Sequence, residues 1–356
     1  MATVHVPDGF LDAPTSVATA TVAAAAVAVC LRRARAELDE RTAPLAGLTA
    51  AFVFAVQMLN FPVGVGTSGH LMGGALAAVL VGPWTAVLCL SVVLTVQALL
   101  FADGGLTALG TNVVLLGVVT VAVGWGVTRM VLAVLPRRPA SVVPASFAGA
   151  LLSVPAAALV FVALYALGGA ADLPLRTLLA TMLGWHVVIG IGEAVITALT
   201  VSAVVAVRPD LVYAARGLRP ALELRDADGT VRAGSPAAAT ASAGRRRPGG
   251  MLAGGLAVAL LLAGAASFFA SGSPDGLEYV AEDQGFLDTA REHALGTLPL
   301  ADYGEVGGVP VGVAGLLGVL VTVLLGWGVA SFAAHRRRPA GSDPGRTVGD
   351  HDRQPA

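Results

Sequence analysis

His5 and His70 are the residues in this chain best placed to do chemistry. His5 lies in Val4-His5-Val6-Pro7-Asp8-Gly9-Phe10-Leu11, and His70 closes Gly66-Thr67-Ser68-Gly69-His70. Both stand at the ends of apolar runs that carry almost no charge. An imidazole close to a free amine, the adjacent amide nitrogen and a second imidazole together supply a compact all-nitrogen site for a transition-metal ion. Singly, each histidine has a plainer reading, His5 as a solvated terminal residue and His70 as an interfacial ring satisfied by backbone carbonyls. An ionisable group at a membrane boundary favours the functional reading. Gly64, Gly66, Gly69, Gly73 and Gly74 let backbone approach closely, as a small cavity requires.

Other polar residues fall in apolar surroundings. His186 and Glu193 are seven apart on one helix and share a face. Their cost in a membrane points them to the bundle interior, as part of a structural network or a contact with partner subunits rather than as ligands. Asp8, Gln57, Asn60 and Asn112 are candidates for orienting the ligands from behind. Asp103, beside Gly104-Gly105, is expected in an outside turn. Cys30 and Cys89 sit inside apolar runs and read as small buried hydrophobes.

The elements that must position these groups are membrane helices. The chain has 356 residues, 56% hydrophobic and 13% charged, against about 25% charged in soluble domains. Apolar runs over 15–31, 44–60, 70–82, 84–101, 106–135, 142–168, 175–207, 251–270 and 309–333 predict an all-α polytopic membrane protein. The run 70–82 is too short to cross unless its neighbours shield it. Seven runs form a bundle over 1–220. Residues 221–249, rich in Ala, Gly, Ser, Pro and Arg, read as a flexible cytoplasmic linker. Residues 250–335 read as a helical hairpin enclosing an outside loop, and 336–356 as a disordered cytoplasmic tail.

All 22 basic residues are arginine. Their clusters at Arg32, Arg33, Arg35 and Arg41; Arg137 and Arg138; Arg208, Arg216 and Arg219; Arg245 to Arg247; and Arg336 to Arg338 all fall on one side when nine crossings begin outside. This predicts an N-terminus outside and a C-terminus in the cytoplasm. Without lysine, no P-loop can form, so ATP would have to be bound by another subunit. A net charge of −1 gives no basic field for nucleic acid. The outside loop 271–308 holds Asp275, Glu278, Glu282, Asp283, Asp288, Glu292, Asp302 and Glu305 against Arg291. It is expected to fold over the mouth of the larger unit and control access. Its acids are spaced too irregularly for an EF-hand.

His5-Val6-Pro7-Asp8-Gly9-Phe10-Leu11 resembles the opening of the CbiM and NikM proteins, substrate-binding components of energy-coupling-factor transporters for cobalt and nickel. Gln57-Met58-Leu59-Asn60-Phe61-Pro62-Val63 through Gly66-Thr67-Ser68-Gly69-His70-Leu71 resembles their second signature. Gly82-Pro83-Trp84, Gln97 to Gly105 and Gly190-Ile191-Gly192-Glu193-Ala194 continue the match in order. Residues 273–286, with Pro274-Asp275-Gly276-Leu277-Glu278, resemble the PDGLE-type small partner, CbiN or NikN, so the chain looks like a fusion of the two.

The resemblance implies a square-planar nitrogen site for Co(II) or Ni(II), with cobalt for cobalamin synthesis slightly favoured. Its donors are the N-terminal amine, the next amide, a histidine at position two, which maps to His5, and the histidine of the TSGH stretch, which maps to His70. It also implies a transmembrane coupling protein and ATPase subunits as partners. In the family the histidine directly follows the initiator methionine, whereas here Met1-Ala2-Thr3-Val4 precede it. Val4, encoded by GTG, is the expected true start and the source of the amine; the alternative is a longer arm with His5 binding by its ring alone. A rival enzyme reading takes Gly66-Thr67-Ser68-Gly69 as a GxSG pattern and resembles a rhomboid protease, with Ser68 and His186 as the catalytic pair. A zinc protease lacks its HExxH.

Overall fold

The computed structural model describes residues 5–38, 42–64, 66–216, 218, 223–225, 231–233 and 249–335. Asp12 opens the first helix by accepting a hydrogen bond from the Thr15 amide, and α1 runs Ala13–Arg33. It is followed by α2 (Ala43–Gln57), a short hairpin of β1 (Phe61–Gly64) and β2 (Thr67–Gly69), α3 (Gly74–Val81) and α4 (Pro83–Phe101). Helices α5 (Leu109–Val134), α6 (Val142–Gly168) and α7 (Leu175–Val207) complete the first unit. The last five residues of α4, Gln97–Phe101, and Val113–Val119 of α5 are wound as π-helix. Such widened turns gather at functional sites, and both lie next to the N-terminal segment.

The second unit has α8 (Gly249–Gly264), the short α9 (Gly276–Asp283) and α10 (Val311–His335). Helices α8 and α10 pack against each other and against α2. The α10 contact needs Gly47, because a Cβ there would lie 2.7 Å from the Val323 carbonyl oxygen and 2.8 Å from the Trp327 amide nitrogen. Where lipid offers no hydrophobic drive, close backbone approach supplies the attraction.

The nine apolar runs each hold a helix, but only six helices are long and apolar enough to cross a membrane among the described residues. Helices α2 and α8 have 15 and 16 residues. Helix α3 has eight and is buried along its whole length. Residues 70–73 ahead of it are not helical, and Gly73 enters it in left-handed backbone with a φ of 81°, so α3 is an interior half-helix. A short buried helix must satisfy its leading N–H groups without water. Glu193 of α7 does this, accepting from the amides of Met72 at 2.7 Å and Gly73 at 3.1 Å. At the other pole Glu37 plays the same part for α4, accepting from the amides of Trp84 at 3.2 Å and Thr85 at 2.7 Å.

The expected linker contains β3 (Glu223–Arg225) paired antiparallel with β4 (Val231–Ala233). The expected tail, 336–356, lies outside the described residues. Cys30 and Cys89 are buried free thiols, as read.

Candidate metal site

The chain from His5 to Leu11 is non-helical, turns at Asp8-Gly9 where Gly9 has a φ of 94°, and is threaded between the two units. Asn112 clamps Val6 on both sides, accepting from its amide and donating to its carbonyl, each at 3.0 Å. Asp8 accepts from the amides of Leu106 at 3.1 Å and Thr107 at 2.7 Å, which ties the segment to the loop after α4. Close contact here requires glycine, since a Cβ on Gly104 would lie 2.9 Å from the His5 Cβ and one on Gly105 only 2.2 Å from the Asp8 amide nitrogen. From above, the Arg291 amide donates to the Asp8 carbonyl at 2.7 Å, and Phe10 meets Phe286 edge to face.

These bonds bury His5, and its Nδ1 lies 2.9 Å from Oδ1 of Asp103. Burial alone would lower the His5 pKa, but the charge and hydrogen bond of Asp103 outweigh it and raise it above the ordinary imidazole range. Burial likewise works to raise Asp103, yet pairing with His5 and the Tyr303 hydroxyl brings it below the ordinary carboxylate range. An ionised carboxylate only accepts, so Nδ1 carries the proton and Nε2 the lone pair. Nε2 is buried without a hydrogen-bond partner.

The His70 ring stands edge-on to His5, with centroids 5.3 Å apart and planes at 62°. Its Nδ1 lies 3.1 Å from the Leu71 carbonyl oxygen, which again turns Nε2 outward, 3.8 Å from Oδ2 of Asp275. Asp275 comes from the second unit. Pro274 and Asp275 lie alongside β2, where the Ser68 amide donates to the Pro274 carbonyl at 2.8 Å and the Ser68 hydroxyl to the Ser273 carbonyl at 2.8 Å. Asp275 also caps α9 by accepting from the Glu278 amide at 2.7 Å. Burial pushes its pKa up to about 7. His5, His70, Asn112, His186 and Asp275 line one cavity of about 50 Å³. That is room for an ion and little water. Among the described residues no three His, Cys, Asp or Glu side chains converge closely enough to grip an ion by themselves, so two imidazoles need further donors.

Residues 5–211 match a family model described as CbiM, cobalt uptake substrate-specific transmembrane region, and 249–335 match the PDGLE domain. The chain belongs to the CbiM family. It is 39% identical over 209 residues to a Haloquadratum walsbyi protein described as a metal transport protein, covering 59% of this chain and 93% of that one. It is 38% identical over 209 residues to a protein of Archaeoglobus fulgidus described as a fused nickel transport protein, NikMN, covering 58% and 68%. A crystal structure of a transition metal transporter aligns with a TM-score of 0.52 at 30% identity, over 60% of this chain and all of that one. This chain is thus a multi-pass membrane protein of metal transport, with a PDGLE domain fused behind its CbiM region.

Within this CbiM fold the expected site residues have different fates. His5 and His70 meet, and Asn112 positions the segment that carries His5. Gln57 donates to the Met72 carbonyl at 3.0 Å and so steadies the strand leaving His70. Asn60 works through its main chain, accepting from the Ser271 amide of the second unit at 2.8 Å. Val4, the expected amine donor, lies outside the described residues. An amide and an imidazole of one residue close a chelate only through Nδ1, the nitrogen held here by Asp103, so in this arrangement His5 offers its ring alone. His186 lines the cavity, with Nδ1 bonded to the Met182 carbonyl at 2.7 Å. A partner subunit has no surface to touch at Glu193, which is fully buried. Nothing supports the protease reading: the Ser68 hydroxyl is bonded to the Ser273 and Pro274 carbonyls rather than to His186. Sequence reading missed three groups, Asp103, Asp275 and Tyr303. Asp103 was legible as an acid within a matched motif, and Asp275 as the acid of Pro-Asp-Gly-Leu-Glu. Tyr303 lies in no motif.

Proposed function

We propose that this chain is the metal-capturing subunit of an energy-coupling-factor importer for Co(II) or Ni(II), with cobalt serving cobalamin synthesis. The ion is the substrate. It arrives at the outer face of the cell membrane, and His5 through Nε2 and His70 are the side chains that receive it. The observation that carries this reading is the pair of buried imidazoles set 5.3 Å apart across one small cavity. Two imidazole nitrogens suit late first-row ions, and Asp103 behind His5 acts as the carboxylate that orients a ligating histidine. With Nδ1 held by Asp103, His5 binds by its ring alone, and a chelate with the amine of Val4 would require Nδ1 to leave Asp103.

The orientation is supported by charge. Arg33 stacks over Trp84, Arg216 over Tyr213, and the Arg216 guanidinium bonds the Glu37 carbonyl, all at the pole opposite the histidines. That pole faces the cytoplasm, where a transmembrane coupling protein and ATPase subunits dock. The working division is a metal-binding domain at 1–220, a linker at 221–249, a PDGLE domain at 250–335 and a tail at 336–356. Cells that depend on the transporter should lose cobalt and nickel uptake when His5 and His70 are both replaced by Ala. Unchanged uptake in that double variant contradicts the proposal.

A further inference from the structure

The CbiM-type unit carries both histidines, yet the group that holds His5 in place is itself held from the other unit. Asp103 uses both carboxylate oxygens. Oδ1 accepts from His5, and Oδ2 accepts from the Tyr303 hydroxyl at 2.6 Å. That hydroxyl in turn accepts from the Gln97 amide at 3.2 Å, and the Asp103 main-chain amide donates to the Gln97 carbonyl at 3.1 Å. The result is a closed network in which Gln97 donates to Tyr303, and Tyr303 and His5 both donate to Asp103; Gln97, Asp103 and His5 are buried and Tyr303 is half-buried.

The fold goes out of its way to put Tyr303 there. Asp302 and Tyr303 both adopt left-handed backbone, with φ of 51° and 50°. Two successive non-glycine residues in that region are uncommon and mark a place where the surroundings impose the conformation. The Tyr303 ring stacks on Phe101 at 4.9 Å and 17°, which fixes the direction of the hydroxyl. Phe101 and Gln97 are the two ends of the π-wound turn of α4.

We infer that Tyr303 of the PDGLE unit is a positioning residue for the metal ligand His5, acting through Asp103. The inference rests on the proposed metal reading of His5 and His70. With the hydroxyl in place, Asp103 has one orientation and Nε2 of His5 faces the cavity. Without it, Oδ2 is an unpaired buried acceptor, Asp103 can turn, and the imidazole loses its fixed aim. The second unit therefore sets the affinity of a site whose ligands belong to the first. By linkage, a bound ion must also hold the loop 271–308 more firmly in place.

The test is a double-mutant cycle on the purified full chain, using Co(II) titration and the visible ligand-field bands of the bound ion. Asp103→Asn should weaken Co(II) binding by about 10- to 100-fold, the usual cost of removing the partner of a ligating histidine. Tyr303→Phe, which keeps the ring and its stacking, should weaken it by about tenfold or more and shift the bands, as loss of one hydrogen bond to a charged group predicts. In the Asp103→Asn background the same Tyr303→Phe change should cost almost nothing. A merely structural tyrosine would cost the same in both backgrounds and leave the bands in place, and either result overturns the inference. His70→Ala separates the two levels. Retained Co(II) in that variant defeats the metal reading and this inference with it, whereas lost Co(II) beside a silent Tyr303→Phe defeats this inference alone.

Discussion

At the scale of single residues, the proposed metal site is a contest between protons and metal for two imidazoles. Metal binds the neutral ring, so affinity must fall as pH falls. Asp103 raises the His5 pKa above the ordinary imidazole value of 6.5, so the loss should begin at a higher pH than for a free imidazole. Replacing Asp103 with Asn removes the raising charge and leaves burial, which lowers the pKa. The onset should then move to lower pH even though affinity at high pH is weaker. Co(II) titrations across pH 5 to 9 check both signs, and an onset that does not move would show that Asp103 does not control the ring. Asp275 adds a second carboxyl group from the other unit, buried against His70, and with its pKa pushed up to about 7 it presents negative charge to a cation only as pH rises through that value.

At the scale of elements, buried carboxylates set the scaffold by ending helices that water cannot reach. Glu193 receives two amides at the head of α3 and Glu37 two at the head of α4. Gln in place of Glu193 can accept at only one of its two terminal atoms, so one amide of α3 is left unpaired. That change should cost about 1–3 kcal/mol and lower the thermal midpoint of the detergent-solubilised protein. It should also loosen His70, which is three residues from the capped amide of Gly73. The contact of α2 with α10 offers a second check. Gly47→Ala drives a methyl group into backbone and should cost about 1–3 kcal/mol, with weaker metal retention because the loop over the site hangs from α10. Gly328→Ala on α10 meets nothing within 4 Å and should leave both properties unchanged.

The apolar runs made the helices legible because a membrane helix is written in hydrophobicity alone, and the ordered motifs placed both histidines in the site. Less legible was how the elements join. Nothing in Gly66-Thr67-Ser68-Gly69 announces that β2 will be flanked by Pro274 and Asp275, some 200 residues away in sequence. Asp103 looked like a turn residue because its partners, His5 and Tyr303, come from opposite ends of the chain. The shortness of α3 was visible, but its cap was not, because Glu193 reaches it across the bundle.

At the scale of the molecule, the two poles divide the labour. Arginines, Glu37 and aromatic rings gather at one, and the histidines with their carboxylates at the other, under a loop contributed by the PDGLE unit. That loop covers the N-terminal segment through Arg291 and Phe286 and reaches the cavity through Asp275. On the proposed reading, binding of an ion and the seating of this loop are coupled. The most direct test of this account is the metal content, by elemental analysis, of the full chain purified with its native N-terminus, beside His70→Ala. The account predicts cobalt or nickel near one ion per chain in the parent and its loss in the variant. Equal metal in both, or none in either after loading with Co(II) or Ni(II), would contradict a site built on His5 and His70.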